Sequence, residues 1–132
     1  MKKILFVTTM AGNPWGGSEE LWSSMAKTAH NNKIDTAISY YNWKNTPSKI
    51  TNLKDLGISC FPRKRILGDN FLHKIIFKLN EHVFGLRQLK NIENKFKPNH
   101  MIISMGGFCD LELAVIQKFL LKTNINYSLM VH

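Results

Sequence analysis

Cysteine is scarce in this chain, with two residues, Cys60 and Cys109, far apart and in no C-x-x-C pair. The five histidines are scattered, so no ligand spacing for a structural zinc ion exists, and the cysteines read as two reduced cytosolic thiols. Long apolar runs are also missing. Nothing reaches the ~18–20 unbroken apolar residues of a membrane-spanning helix. The N-terminus begins with lysines and turns apolar, but Ile4 to Val7 is shorter than the ~7–15 residues of a signal-peptide core, and Thr8, Thr9 and Pro14 follow. A cytoplasmic location is expected. Acidic residues are few: nine against 18 Lys and Arg, a formal net charge of +9. That balance favours anionic partners and says nothing about fold.

Two phosphate-binding signatures are absent as well. Gly12 and Gly17 have the spacing of a Walker A loop, but Ser18-Glu19 stands where its Lys-Ser/Thr belongs, which argues against a P-loop NTPase. A G-x-G-x-x-G fingerprint is not found, and the second apolar run ends in Tyr40-Tyr41 rather than an acidic residue, which argues against a nicotinamide dinucleotide enzyme.

What is present is enough for a core. The chain has 132 residues, 44% apolar and 20% charged, about one domain at the usual ~100–200 residues. Ile4-Leu5-Phe6-Val7 is a continuous β-branched and aromatic run, typical of a strand buried on both faces of a parallel sheet. After the turn-rich stretch 12–17, Leu21, Trp22, Met25, Ala26 and Ala29 form one helical stripe. Ser18 suits its N-cap, Glu19 and Glu20 favour its dipole, and Asn31-Asn32 ends it. Thr36 to Tyr41 reads as a second strand. Pro47 to Leu56 reads as a short helix stopped by Gly57, and Ile58 to Phe61 as a third strand ended by Pro62.

A long helical pattern runs from about Asn70 to Phe96. Gly85 weakens its middle by roughly 1 kcal/mol relative to Ala, and a break or bend would fall there. Met101 to Met105 is a fourth strand broken by Gly106-Gly107. Asp110 caps a further helix, and Tyr127 to Val131 is a fifth strand. Strands alternating with helices predict an α/β fold, a Rossmann-like open parallel sheet of about five strands with helices on both faces. The last strand runs to the chain terminus with no helix after it, so the chain reads as the front part of something longer.

Ligands of such sheets bind outside the carboxyl ends of the strands. Three features fall there: the loop 12–18, Gly106-Gly107 and His132. Gly16 and Gly17 permit close backbone approach, and the helix behind them offers N–H groups to an anion. The same loop also reads as a plain turn. Glu19 and Glu20 add negative charge, which suits hydroxyl or amine donors better than bare phosphate. His30, His73, His82 and His100 read as surface or core histidines.

Lys-Ile-Leu-Phe-Val-Thr-Thr, then Gly16-Gly17-Ser18-Glu19, then a Leu-Trp helix, resembles the opening of a family 4 glycosyltransferase of the GT-B fold. His132 after an apolar strand is similar to a histidine many members carry. The resemblance covers essentially all of 1–132, as a single Rossmann-like domain that is half of a GT-B fold, the N-terminal acceptor-side half. It implies transfer of a sugar from a nucleotide-sugar donor to a hydroxyl acceptor, glycan or lipid-linked. By the same resemblance Gly16, Gly17, Ser18, Glu19, Gly106 and Gly107 would bind substrate or phosphate, and His132 would be the catalytic residue near the reacting sugar. No cofactor is implied beyond the nucleotide-sugar co-substrate, and no metal is required. The family's paired glutamates, spaced E-x7-E in the donor domain, have no match among the five glutamates here. The expectation is therefore a truncated chain, inactive alone, that lacks its donor domain.

Residues 63–97 hold nine Lys or Arg against three acids, interleaved with Phe71, Ile75, Ile76, Phe77 and Phe84. This region reads either as an ordinary helix with a solvated basic face or as a peripheral contact with an anionic membrane. No nucleic-acid-binding pattern accompanies the charge. The rival to the glycosyltransferase reading is a non-catalytic Rossmann-like module that binds a phosphorylated ligand or a partner protein.

Overall fold

A computed structural model describes residues 1–10, 13–64, 71–105 and 110–131. Five strands and four helices alternate: β1 (Lys3–Thr8), α1 (Gly17–Asn31), β2 (Asp35–Asn42), α2 (Ser48–Asp55), β3 (Ser59–Lys64), α3 (Phe71–Phe96), β4 (His100–Met105), α4 (Asp110–Leu120) and β5 (Asn126–Val131). The strands form one sheet in the order β3-β2-β1-β4-β5, and every pairing is parallel. This is the expected Rossmann-like α/β fold with helices on both faces.

The two-residue period of a strand explains the two cores. Leu5 and Val7 of β1 face one side, with Ala37, Met101 and Ile103 beside them, and α3 and α4 cover that side with Leu89, Ile92, Phe96, Val115, Ile116 and Phe119. Phe6 faces the other side with Ile38 and Ile58, under Trp22 and Ala26 of α1 and Ile50 and Leu53 of α2. The central strands are buried on both faces, which is why β1 reads as an unbroken apolar run rather than an alternating one.

Two local expectations change. The third strand does not end at Pro62 but continues to Lys64, with Pro62 paired to Tyr40 and Arg63 to Tyr41. β3 is the sheet edge, where a residue without an N–H is tolerated because no strand among the described residues lies outside it. Gly85 does not break α3, which runs unbroken from Phe71 to Phe96. A Cβ at Gly85 would stand 3.0 Å from Cγ1 of Val115, so the glycine lets α3 and α4 approach closely. Gly57 stops α2 as expected, with a φ of +94° that favours glycine. The side chains of 71–82 lie outside the described residues, so half of the basic region has no structural account; Arg87, Lys90, Lys95 and Lys97 are exposed. No helix among the described residues is long and apolar enough to cross a membrane.

From β1 the chain builds outward through β2 to β3, then returns to build β4 and β5 on the other side. The direction of winding reverses between β1 and β4, and the carboxyl ends of these strands are where such sheets take ligands.

Gly85→Ala sets a helix-propensity gain of about 1 kcal/mol against an overpacking cost of ~1–3 kcal/mol on Val115. A net loss of stability in urea denaturation is expected. The double change Gly85→Ala with Val115→Ala is expected to cost less than the sum of the two single changes.

Candidate functional site

The carboxyl end of β1 carries Thr8 and Thr9, both buried. Successive residues of a strand point to opposite faces, so the two threonines bond in different directions. Thr9 ties β1 to β4: its N–H and its hydroxyl both donate to the Ser104 carbonyl, at 3.0 and 3.1 Å. The Thr8 hydroxyl donates to Oε1 of Glu19 at 2.6 Å and accepts from the Met10 N–H at 3.2 Å. The Thr8 carbonyl accepts from the Arg63 guanidinium, which lies 4.6 Å from the centre of the Tyr41 ring. Thr8 thus joins β1 to α1 and to the edge strand β3.

The entry to α1 departs from expectation. Ser18 is not the N-cap. The cap position is Gly16, in extended conformation and without a side-chain cap bond, and Glu20 N–H donates to the Gly16 carbonyl at 3.1 Å. Ser18 sits one residue inside the helix and donates its hydroxyl to Oε2 of Glu19 at 2.8 Å. Glu19 is 3% exposed. Two hydroxyl donors and the first turn of α1 offset the cost of burying its charge. Its oxygens are engaged by the protein, so Glu19 orders the loop.

Glu20, one position on, faces solvent. It accepts from Trp15 Nε1 at 2.8 Å and pairs with Lys49 of α2. The hydrogen bond from Lys49, then that from Trp15, holds the Glu20 carboxyl below its ordinary 4.5. The two bonds pin the loop before α1 to both helices on that face.

Between the β1–α1 loop and the start of α2 lies a shallow cleft bordering solvent, with about 10 Å3 of room, the space of one water. Thr8, Glu19, Trp15, Trp22, Tyr40 and Trp43 are among its lining residues. Trp15 and Trp22 stand 6.0 Å apart at 56°.

The structure therefore brings Gly16, Gly17, Ser18 and Glu19 together at the carboxyl edge of the sheet. Gly106, Gly107 and His132 lie outside the described residues, as does Gly12. Around Gly16 a Cβ would meet Met10 Cε at 3.3 Å, whereas around Gly17 it would meet nothing within 4 Å among the described residues. Sequence reasoning missed Thr8, Arg63 and the aromatic cleft. Arg63 was counted with the basic region 63–97 but is 3% exposed, inside the protein. The signal for the cleft was the aromatic cluster Tyr40-Tyr41-Asn42-Trp43 after β2, facing Trp15 after β1. Among the described residues no three His, Cys, Asp or Glu side chains group as a metal ion would require.

No protein-family model matches the chain, and no curated protein does. The fold does have likenesses among solved structures. Over 98% of its length the chain superposes on the glycotransferase of kitacinnamycin with a TM-score of 0.59 and 12% identity. At that identity the likeness is one of fold. The chain spans 30% of that neighbour's length. A protein of the universal stress protein family from Burkholderia pseudomallei aligns over 96% of this chain and 94% of its own, at a TM-score of 0.46 and 8% identity, too loose to carry an argument.

Glu19→Ala strands the Thr8 and Ser18 hydroxyls and is expected to cost about 2–3 kcal/mol in urea denaturation, with Glu19→Gln milder because it keeps one acceptor. Gly17→Ala is expected to raise stability by ~0.4–1 kcal/mol, because the added methyl meets open space and restricts the unfolded chain. The lowered Glu20 carboxyl gives a signed expectation for pH. Its contribution is present above the unfolded value near 4.5 and is lost as pH falls through the lower folded value. Glu20→Gln should flatten that part of the acid limb, and added salt should do the same.

Proposed function

We propose that this chain is the acceptor-side half of a GT-B glycosyltransferase of family 4, which passes a sugar from a nucleotide-sugar donor to a hydroxyl acceptor. The observation that carries the reading is the entry to α1: Gly16-Gly17 at the carboxyl edge of a parallel sheet, with open space around Gly17. Such a turn lets a diphosphate or transferred sugar reach backbone N–H groups at a helix N-terminus. The likeness of fold to a glycotransferase agrees with it. A second, donor-binding domain would close the cleft from the other side, and the chain without it would bind but not turn over.

In this reading Gly16 and Gly17 contact the donor phosphates or the moving sugar. Ser18 and Glu19 hold the loop in shape through Thr8, a positioning role. Gly106 and Gly107 would approach the same edge from the end of β4, and His132 would stand near the reacting carbon. The helix dipole and basic residues meet the phosphate charge without a metal. The exposed Val83, Arg87 and Lys90 of α3 would rest on an anionic membrane surface when the acceptor is lipid-linked.

One observation favours the rival, a binding module without chemistry. Both oxygens of Glu19, the carboxylate lining the cleft, are spent on protein hydroxyls, so it is not poised as a general base.

The coding DNA beyond His132 tests the choice. A continuation encoding a second α/β domain with an E-x7-E pair is expected. A stop with no such domain nearby would leave the binding module in its place. In calorimetric titration of the chain with pyrophosphate, Gly17→Trp is expected to abolish whatever binding the unchanged chain shows; equal binding by both would remove the loop from the site.

A further inference from the structure

The two edges of the sheet differ. β3 carries devices that keep an edge strand from pairing with another chain: Pro62 without an N–H, the inward Arg63 and the exposed Lys64. The opposite edge, β5, carries none of them. Its sequence NYSLMV holds no charge, no proline and no glycine. It pairs with β4 in unbroken register from Asn126 to Val131, so no bulge turns the edge away.

The side chains of β5 sort by face. Tyr127, Leu129 and Val131 pair with Met101, Ile103 and Met105, and so lie on the α3/α4 side of the sheet. There they are 46, 51 and 77% exposed. Leu121, just past the end of α4, is exposed as well. An apolar stripe beside a row of free backbone N–H and C=O groups is a template for another strand.

Charge and register select a second copy of the chain. At a net charge of +9, two copies repel wherever their basic residues meet. β5 avoids this, since Arg87, Lys90 and Lys95 belong to α3, which contacts the far edge strand β3. Opposite residues of an antiparallel pair share a face, so a two-fold axis through the sheet must pass at a residue rather than between two. With the axis at Leu129, Leu129 meets its own copy, and Tyr127 meets Val131 in both directions. The three exposed apolar residues then pair only with one another, and no like charges stand opposite.

We propose that a second copy of this chain pairs antiparallel on β5, about a two-fold axis at Leu129, making one continuous sheet across a dimer. The proposal goes beyond the glycosyltransferase reading and does not rest on it.

Sedimentation velocity from about 5 to 200 µM tests it. Monomer and dimer in exchange are expected, with a dissociation constant of about 10 µM, as suits an interface at the small end of the size range. Leu129→Lys sets two ammonium groups opposite each other and should weaken association about tenfold or more. Leu56→Lys, at a comparably exposed leucine ending α2 on the other face, should leave it unchanged. Circular dichroism checks that each variant folds; if Leu129→Lys does not, Val131→Lys replaces it. With Cys60→Ser and Cys109→Ser, Leu129→Cys is expected to form an intermolecular disulfide under mild oxidation. Opposite residues of an antiparallel pair stand about 4.5–5.5 Å apart at Cα, within disulfide reach.

Monomer throughout that range overturns the proposal. So does a dimer that Leu129→Lys leaves intact, or open-ended association in place of a closed dimer. If the gene reads on past His132, the full product is measured in the same way. A monomer whose amides from 127 to 131 are all protected from hydrogen exchange would mean that its own continuation takes the edge, and would overturn the second copy. None of these outcomes decides the glycosyltransferase reading, which stands or falls with the donor domain.

Discussion

The hydrogen bond from the Thr8 hydroxyl to the buried carboxylate of Glu19 sets the carboxyl edge of this sheet. A carboxylate at 3% exposure is stable only when its lone pairs are occupied, and Thr8 and Ser18 occupy them. To do so, Glu19 must face β1, which fixes the rotation of α1 about its own axis. That rotation places Trp22 and Ala26 over Phe6 and directs Glu20 outward to Lys49 and Trp15. The same residue that anchors the helix also offers its carbonyl to Arg63, so the edge strand β3 is tied to the central strand across β2.

Burial of Glu19 and exposure of the aromatic rim belong together. A free carboxylate at the mouth of the edge would dominate it electrostatically. Held by two hydroxyls and the first turn of α1, the charge is turned inward, and the surface beside it is made of rings. Trp15 is kept at that surface by its bond to Glu20, which is itself held by Lys49. The edge therefore presents two neighbouring surfaces: backbone at the glycine turn and an aromatic cleft beside it.

Much of the fold was legible in the sequence because the alternation of apolar runs with helical stripes is a local property. The five strands and four helices come within a few residues of their expected bounds, and Gly57 ends α2 as its backbone preference predicts, whereas after α1 it is Lys33, beyond Asn31-Asn32, that takes the positive φ. The misses share a cause. Pro62 reads as a terminator until β3 is known to be an edge strand. Gly85 reads as a weak point until Val115 of α4 is found against it. Ser18 reads as a cap until Glu19 is seen to claim its hydroxyl. In each case a neighbour distant in sequence, or a competing side chain, decides between two roles that the residue itself permits.

The candidate site divides in the same way. The Gly16-Gly17 turn entering a helix was visible from residue order alone, since glycine's freedom and a helix N-terminus are local. The aromatic cleft was not, because Trp15 and Trp43 belong to loops after different strands, and only parallel pairing of β1 with β2 puts both loops at one edge. Arg63 reads as surface charge by composition, yet its burial depends on Tyr41 and the Thr8 carbonyl. By itself the sequence determined the elements, their order and the two-faced burial of β1, because propensity and periodicity act over a few residues. Tertiary structure alone decided which polar groups are spent inside and which face solvent, because hydrogen-bond satisfaction depends on partners that the fold brings together.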